Sequence, residues 1–356
     1  MKRILSLDGG GIRGLVTIEV LAKIETLLRK RLNRPNLLLG EYFDLIAGTS
    51  TGSIIATMLS WGMTVDQLRE HYLKTASLIF IKDSVLKQHK HTYSSAGITK
   101  ALKEALKEEN GELATLGSER LKNLLLVVLR NATTGSPWPL TNNPKAKFND
   151  PKRKDCNLNL PLWRLVRAST AAPVFFPAER IKIGDEVFEF IDGAVSAYNN
   201  PAYLAYLHAT LPPYRIGWEK GADKLFILSV GTGYHTPKPK KRYLSDMHKL
   251  DHLKATLSSA MTSSSIHQDI SCRATGRLIY GARIDLELED MRDVLPVSEC
   301  AFSYTRYNKF FDDDDLSQAA RVSRKPFAMD NIELVDYFME KGRDYARYYV
   351  KESHLL

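Results

Sequence analysis

Residues 41–59 read EYFDLIAGTSTGSIIATML. Phe43, Leu45, Ile46 and Ala47 make a run suited to a buried parallel strand, and Ile54, Ile55, Met58 and Leu59 recur at helical spacing. Between the two stand Gly48, Thr49, Ser50, Thr51 and Gly52. A serine on so tight a turn, between glycines that let strand and helix approach closely, has the pattern of a nucleophile elbow. Its hydroxyl stands at a helix N-terminus, where free backbone N–H groups and the helix dipole favour developing negative charge. Gly-x-Ser-x-Gly alone decides little, since a chain of this length carries it by chance about one time in ten. A nucleophile also needs an oxyanion hole and a base.

Upstream, residues 3–7 predict a short strand ending at Asp8, followed by GGGIRG over 9–14 and an amphipathic helix to about residue 31. Gly9, Gly11 and Gly14 satisfy G-x-G-x-x-G, the dinucleotide fingerprint. That reading requires a second strand ending, about 20 residues on, in an acidic residue for the ribose hydroxyl. Here the position falls in the first helix or the loop 32–39, and the next strand leads to the serine. The competing reading is an oxyanion hole, in which Gly9, Gly10 and Gly11 expose backbone N–H groups without Cβ obstruction and Gly10 and Gly11 are the donors. Arg13 then anchors the loop through an ion pair or sits near the oxyanion.

DGGGIRG at 8–14 followed by GTSTG at 48–52 resembles the paired signature of the patatin-like phospholipases. ASTAAP at 168–173, with Phe175 and Phe176 after it, resembles another block of that family, although close packing of a helix end accounts for it as well. Strands predicted at 181–183 and 187–191 deliver Asp192, Gly193 and Ala194, similar to the motif that carries the family's base, and the strand 224–230 ends in a similar Gly231-Thr232-Gly233. The resemblance implies a three-layer α/β/α fold with a mainly parallel central sheet over residues 1–240. Residues 241–356 are expected as a C-terminal α+β extension packed on it. It also implies phospholipase A chemistry on acyl esters of membrane glycerophospholipids, with Ser50 as nucleophile, Asp192 as base and no metal or cofactor. Gly48, Thr51, Gly52, Gly193 and Arg13 support the elbow and loop. Bacterial members of similar size and layout include antiviral effectors switched on by cyclic nucleotides, so a cyclic nucleotide activator enters as an expected partner.

Most serine hydrolases place a histidine between serine and carboxylate, because a carboxylate of ordinary pKa, about 4, is a weak base near pH 7. The order Ser…Asp…His is met formally by Ser50, Asp192 and either His208 or His235. A triad therefore competes with the dyad that the resemblance implies.

Composition sets the outer bounds. Hydrophobic residues at 44% and charged residues at 26% describe a globular chain, and no apolar run approaches the roughly 20 residues of a membrane-spanning helix. The N-terminus passes directly into a strand without a signal-peptide pattern, and Cys156, Cys272 and Cys300 lie far apart without metal-ligand spacing, so a reduced, cytoplasmic setting at the inner face of the membrane is expected. A formal charge of +9 favours an anionic partner. An anionic membrane surface or a nucleotide fits the other signals, a nucleic acid polymer does not, and a homo-oligomer stays open. Candidate contact segments are the stretch 79–92, read as a lid or as a solvated loop, the lysine-rich loop 131–155 and TPKPKKR at 236–242. Asp312 to Asp315 lack EF-hand spacing and read as a solvated turn or a helix N-terminus. Outside the hydrolase class, a nucleotide-dependent dehydrogenase and an inert lipid- or nucleotide-binding module of the same fold are the alternatives.

Overall fold

A computed structural model describes residues 1–79, 91–235, 249–292 and 299–356. At its centre is a 9-stranded sheet of β1 (Lys2–Leu7), β2 (Leu45–Thr49), β3 (Leu124–Asn131), β4 (Ser136–Thr141), β5 (Glu179–Ile183), β6 (Glu186–Asp192), β7 (Leu225–Val230), β8 (Arg277–Tyr280) and β9 (Ser303–Tyr307). The spatial order is β5-β6-β3-β2-β1-β7-β9-β8, with β4 also on β3. Around it stand α1 (Gly14–Arg31), α2 (Leu39–Tyr42), α3 (Thr51–Ser60), α4 (Val65–Ile79), α5 (Ala96–Ala105), α6 (Leu162–Ser169), α7 (Ala202–Thr210), α8 (Lys249–Thr275), α9 (Asp313–Val322) and α10 (Val335–Tyr349).

The strands from β3 through β2, β1, β7 and β9 to β8 run parallel, and β4, β5 and β6 are antiparallel to their neighbours. Their continuous apolar sequences are explained by helices on both faces. Leu5, Leu7, Ile46, Val127, Leu228 and Val230 point into one core, while Ile4, Leu45, Ala47, Val128 and Ile227 point into the other. The side-chain period of two divides each strand between the layers. This is the expected α/β/α sandwich with a mainly parallel sheet.

Some segments differ from the sequence reading. The loop expected over 131–155 contains β4, whose Pro137 and Pro139 share one parity and so leave their missing donors on one edge of the strand. Residues 241–356, expected as an extension on the catalytic unit, place β8 and β9 in the same sheet and α10 across α1. Asp312 caps α9 by accepting from the Asp315 N–H at 2.9 Å, the helix-start alternative for the acidic run. Thr64 caps α4 in a reciprocal box with Gln67 (3.1 and 2.9 Å). Residues 80–90 and 236–248, which hold most of the lid candidate and all of TPKPKKR, lie outside the described residues.

Candidate active site

β1, β2 and β7 run in register, Leu7 level with Gly48 and Val230, so the glycine loop, the serine turn and the Gly231–Gly233 loop leave the sheet side by side. Ser50 sits in the turn from β2 to α3 with φ 53° and ψ −125°, a conformation that non-glycine residues rarely adopt and that functional turns retain. The flanking glycines are dictated by approach distance. A Cβ on Gly48 would strike the Gly52 carbonyl, and one on Gly52 the Leu7 carbonyl.

The Ser50 hydroxyl donates to Asp192 Oδ2 at 2.6 Å, and Asp192 Oδ1 accepts the Ala194 N–H at 2.8 Å. β3 makes this meeting possible. It holds β4 along one edge, and its other edge is shared: Val128 pairs with Thr49 at the end of β2, and the next residue, Leu129, pairs with Asp192 at the end of β6. Asp192 was expected at the carboxyl end of a sheet strand. It stands there because β6 is antiparallel and runs back into the sheet until it meets the end of β2. Gly193 permits the contact, since a Cβ there would strike the Val128 carbonyl.

Two residues that the sequence did not mark hold the turn. Ser169, at the end of α6, accepts the Ser50 N–H at 3.0 Å and donates to the Val128 carbonyl at 2.7 Å, bridging the serine turn and the sheet. Tyr72 on α4 bonds the Thr51 hydroxyl at 2.7 Å and donates to the Gly11 carbonyl at 2.8 Å, joining elbow to glycine loop. The small-residue pattern of ASTAAP pointed to close packing at Ser169 but not to its hydrogen bonds; for Tyr72 there was no local signal.

The glycine loop requires one correction. The Gly9 N–H donates to the Asn199 carbonyl at 3.1 Å, and the Gly9 carbonyl accepts from the Thr232 hydroxyl at 3.1 Å, so Gly9 is a fastening point and not a free donor. The N–H groups of Gly10 and Gly11 have no partner among the described residues. Gly11 has φ 58°, and added Cβ atoms at Gly10 and Gly11 would strike Thr232 and the Met329 carbonyl. Arg13 makes no ion pair among the described residues and lies 3.5 Å from the Gly10 carbonyl through Nε, so the ion-pair anchor expected for it is absent among them. The carboxylate beside this loop, Asp8, is held instead by both Nη groups of Arg306 on β9 (2.7 and 2.6 Å).

Burial pushes the Asp192 carboxyl up to about 7, against the Ser50 hydroxyl, the Ala194 N–H and the Arg167 charge, all of which favour its ionised form. Arg167 is wholly buried on α6 and donates to the Pro177 carbonyl at 2.8 Å. Among the described residues no imidazole lies between Ser50 and Asp192, which bond directly. His208 is buried on α7, stacked on Tyr214 at 3.7 Å and pushed down to about 4 by burial. His235 packs edge-on against Phe327 at 5.3 Å. Neither histidine lines the cleft above the serine, which has about 770 Å³ of empty space and apolar walls of Ile54, Ile98, Phe175, Phe176, Leu257 and Met261.

A serine on a tight strand-to-helix turn, bonded to a buried carboxylate beside an apolar cleft in a covered, mainly parallel sheet, is an arrangement suited to a hydrolase. The patatin-like phospholipase family model matches residues 5–206, and the chain belongs to that family. A cGAMP-activated phospholipase of Escherichia coli is 27% identical over 365 residues, spanning 99% of this chain and 96% of the relative. A cUMP-AMP-activated phospholipase of Escherichia coli is 31% identical over 243 residues, 67% of each chain. A cGAMP-activated phospholipase of Vibrio cholerae is 30% identical over 238 residues, 65% of this chain and 64% of its own length. No helix among the described residues is long and apolar enough to cross a membrane.

Proposed function

We propose that the protein is a phospholipase A-type acyl hydrolase that acts on membrane glycerophospholipids through a Ser50–Asp192 dyad and is switched on by a cyclic nucleotide in antiviral defence. The observation that carries the catalytic reading is the 2.6 Å hydrogen bond from Ser50 to Asp192 at the floor of an apolar cleft. Asp192 accepts the Ser50 proton as Oγ attacks the acyl carbonyl carbon. The resulting oxyanion is held by the Gly10 and Gly11 N–H groups, which have no other partner among the described residues. Collapse expels the lysophospholipid alkoxide, which takes the proton back from Asp192 and leaves an acyl-serine. Water then gives a proton to Asp192, its hydroxide attacks the acyl-serine, and the proton returns to Ser50 as the fatty acid leaves. A carboxylate near 7 can act as this base where one near 4 would be too weak.

The acyl chain lies along Ile54, Phe175, Phe176 and Leu257, and Lys254, which also lines the cleft, faces the phosphate of the head group. We place catalysis in residues 1–240, support in 241–356, and the site of action at the inner, anionic face of the membrane. Activation by a cyclic nucleotide is inferred from the relatives of matching length. The test is fatty-acid release from phospholipid vesicles, with and without a panel of cyclic nucleotides. Wild type is expected to release fatty acid, Ser50→Ala and Asp192→Asn to release none, and His208→Ala and His235→Ala to keep most of the activity. Activity lost with either histidine but kept in Asp192→Asn would sink the dyad. Vesicle binding without fatty-acid release by wild type would favour an inert lipid-binding module.

A further inference from the structure

Beside the catalytic cleft is a second one, with about 680 Å³ of empty space, that the acyl-transfer steps do not use. α8 is one wall between them. Lys254 and Leu257 face the catalytic cleft, Ser258 and Thr262 face the second, and Met261 lines both. The glycine loop is the other wall: Gly11 borders the catalytic cleft, Gly9 and Arg13 the second. Met329, whose carbonyl accepts the Ile12 N–H at 2.8 Å, borders both. Whatever fills the second cleft therefore rests against the backbone that carries the oxyanion donors.

The cations of this cleft fall into two kinds. Arg306 and Arg273 are each held by both oxygens of a carboxylate, Asp8 (2.7 and 2.6 Å) and Asp269 (2.9 and 2.7 Å), and have their charge matched. Arg13 makes no ion pair among the described residues, and burial pulls its pKa down to about 10, offset only in part by the charge of Asp8, a cost that a bound anion relieves. Arg283, in the loop after β8, shares an exposed pair with Glu289 at 3.2 Å, which competes weakly with a better acceptor. Tyr234 adds an aromatic ring and Ser258 and Thr262 hydroxyls, while the buried Asn199 Oδ1 is an acceptor without a partner among the described residues. Planar guanidinium donors with an aromatic face and neutral hydrogen-bonding groups match a phosphodiester joined to a base.

We propose that the second cleft is the effector site and takes a cyclic dinucleotide, with Arg13 and Arg283 on its phosphodiesters and Tyr234 against a base. Occupancy then settles the Gly9–Gly11 loop for catalysis. This rests on the reading of the chain as a cyclic-nucleotide-activated phospholipase. Coupling is short, because the Arg13 guanidinium that meets the phosphate also lies against the Gly10 carbonyl, in the loop that presents the Gly10 and Gly11 donors. A phospholipid head group is also a phosphodiester, so the test must separate the two sources.

Two variants alter the cleft without touching the catalytic set: Thr262→Trp fills it from α8, and Arg283→Glu reverses charge at its rim. Each is checked for folding by thermal melting. Binding of cGAMP and cUMP-AMP is measured by calorimetry, and fatty-acid release from phosphatidylglycerol vesicles is measured with and without the dinucleotides. Hydrolysis of a short-chain ester that lacks phosphate is followed without nucleotide. Wild type and Ser50→Ala are expected to bind a dinucleotide equally. Both cleft variants are expected to bind at least about tenfold more weakly, the scale of one charge-assisted contact, and to lose stimulation while keeping short-chain ester hydrolysis. Stimulation of both variants at the wild-type nucleotide concentration would overturn the site and leave the activation reading standing. A wild type that hydrolyses phospholipid but neither binds nor responds to any cyclic nucleotide would overturn the activation reading and the site with it. A raised KM for vesicles in both variants without nucleotide, at unchanged KM for the short-chain ester, would overturn the effector assignment and make the cleft a head-group site.

Discussion

A carboxylate that takes a proton from serine must be ionised when substrate arrives. Burial favours the neutral form of Asp192 and raises its midpoint to about 7, so this carboxyl, the proposed base, is mostly protonated below that pH and mostly charged above it. The expected outcome is a kcat/KM that rises with pH through about 7 and then levels, read from a pH profile on a short-chain ester. The Arg167 charge acts in the opposite sense, lowering the Asp192 midpoint, so Arg167→Met is expected to move the profile to higher pH; an unmoved profile would show that this charge is not felt at the base. Ser169 acts on Ser50, the proposed nucleophile, by geometry. Ser169→Ala leaves the Ser50 N–H buried without its acceptor, a loss of about 1–3 kcal/mol, and the strained φ of 53° loses a restraint. The expected result is a kcat lower by about 10- to 100-fold with KM nearly unchanged, because the bond holds the reacting group and not the acyl chain. A matched rise in KM would indicate a general loss of packing instead.

At the level of elements, the site depends on how closely α3 can leave β2 alongside β1. Gly52 marks that limit, since its Cβ would have to occupy the place of the Leu7 carbonyl. Gly52→Ala is therefore expected to lower stability by about 1–3 kcal/mol, the scale of overpacking, visible as a lower Tm, and to reduce activity in the fraction that stays folded. The same contact explains why this element was legible. A strand, a turn that tolerates only glycine at two places and an apolar helix are local requirements, and 41–59 states all three. β4 was not legible, because Pro137 and Pro139 read as loop residues and only the partner β3 turns them into an edge-type pairing. The direction of β6 was hidden for a similar reason: its sequence predicts a strand, but nothing in it says that the partner runs antiparallel.

Across the molecule, the last third is joined to the site through the sheet. Arg306 on β9 holds Asp8 at the end of β1, and the main-chain carbonyls of Leu355 and Leu356 accept from Arg31, Arg3 and Tyr42. Both members of the Asp8–Arg306 pair are nearly inaccessible, with side-chain exposures of 4% and 2%, so removing one strands the other in the interior. Arg306→Met is expected to cost about 3–5 kcal/mol, measured by urea unfolding, and to loosen the Asp8 start of the glycine loop. The double change Asp8→Leu with Arg306→Met is expected to cost less than the sum of the singles, since no unmatched charge remains; additive costs would mean that the pair does not couple the two segments.

The chain's local order was enough for the elbow at Ser50, the three glycines at 9–11, the Asp192-Gly193 pair and the α/β alternation. Each depends on backbone freedom or side-chain period within a few residues, which composition and spacing display directly. The three-dimensional arrangement alone decided which of those groups meet. The shared edge of β3 sets Thr49 and Asp192 against consecutive residues, Val128 and Leu129. Asn199 takes up the Gly9 N–H, Ser169 and Tyr72 fasten the elbow, and α8 divides two clefts behind one loop. Hydrogen bonds between residues far apart in the sequence follow from strand register and helix packing, and these become definite only when the two cores close on the sheet.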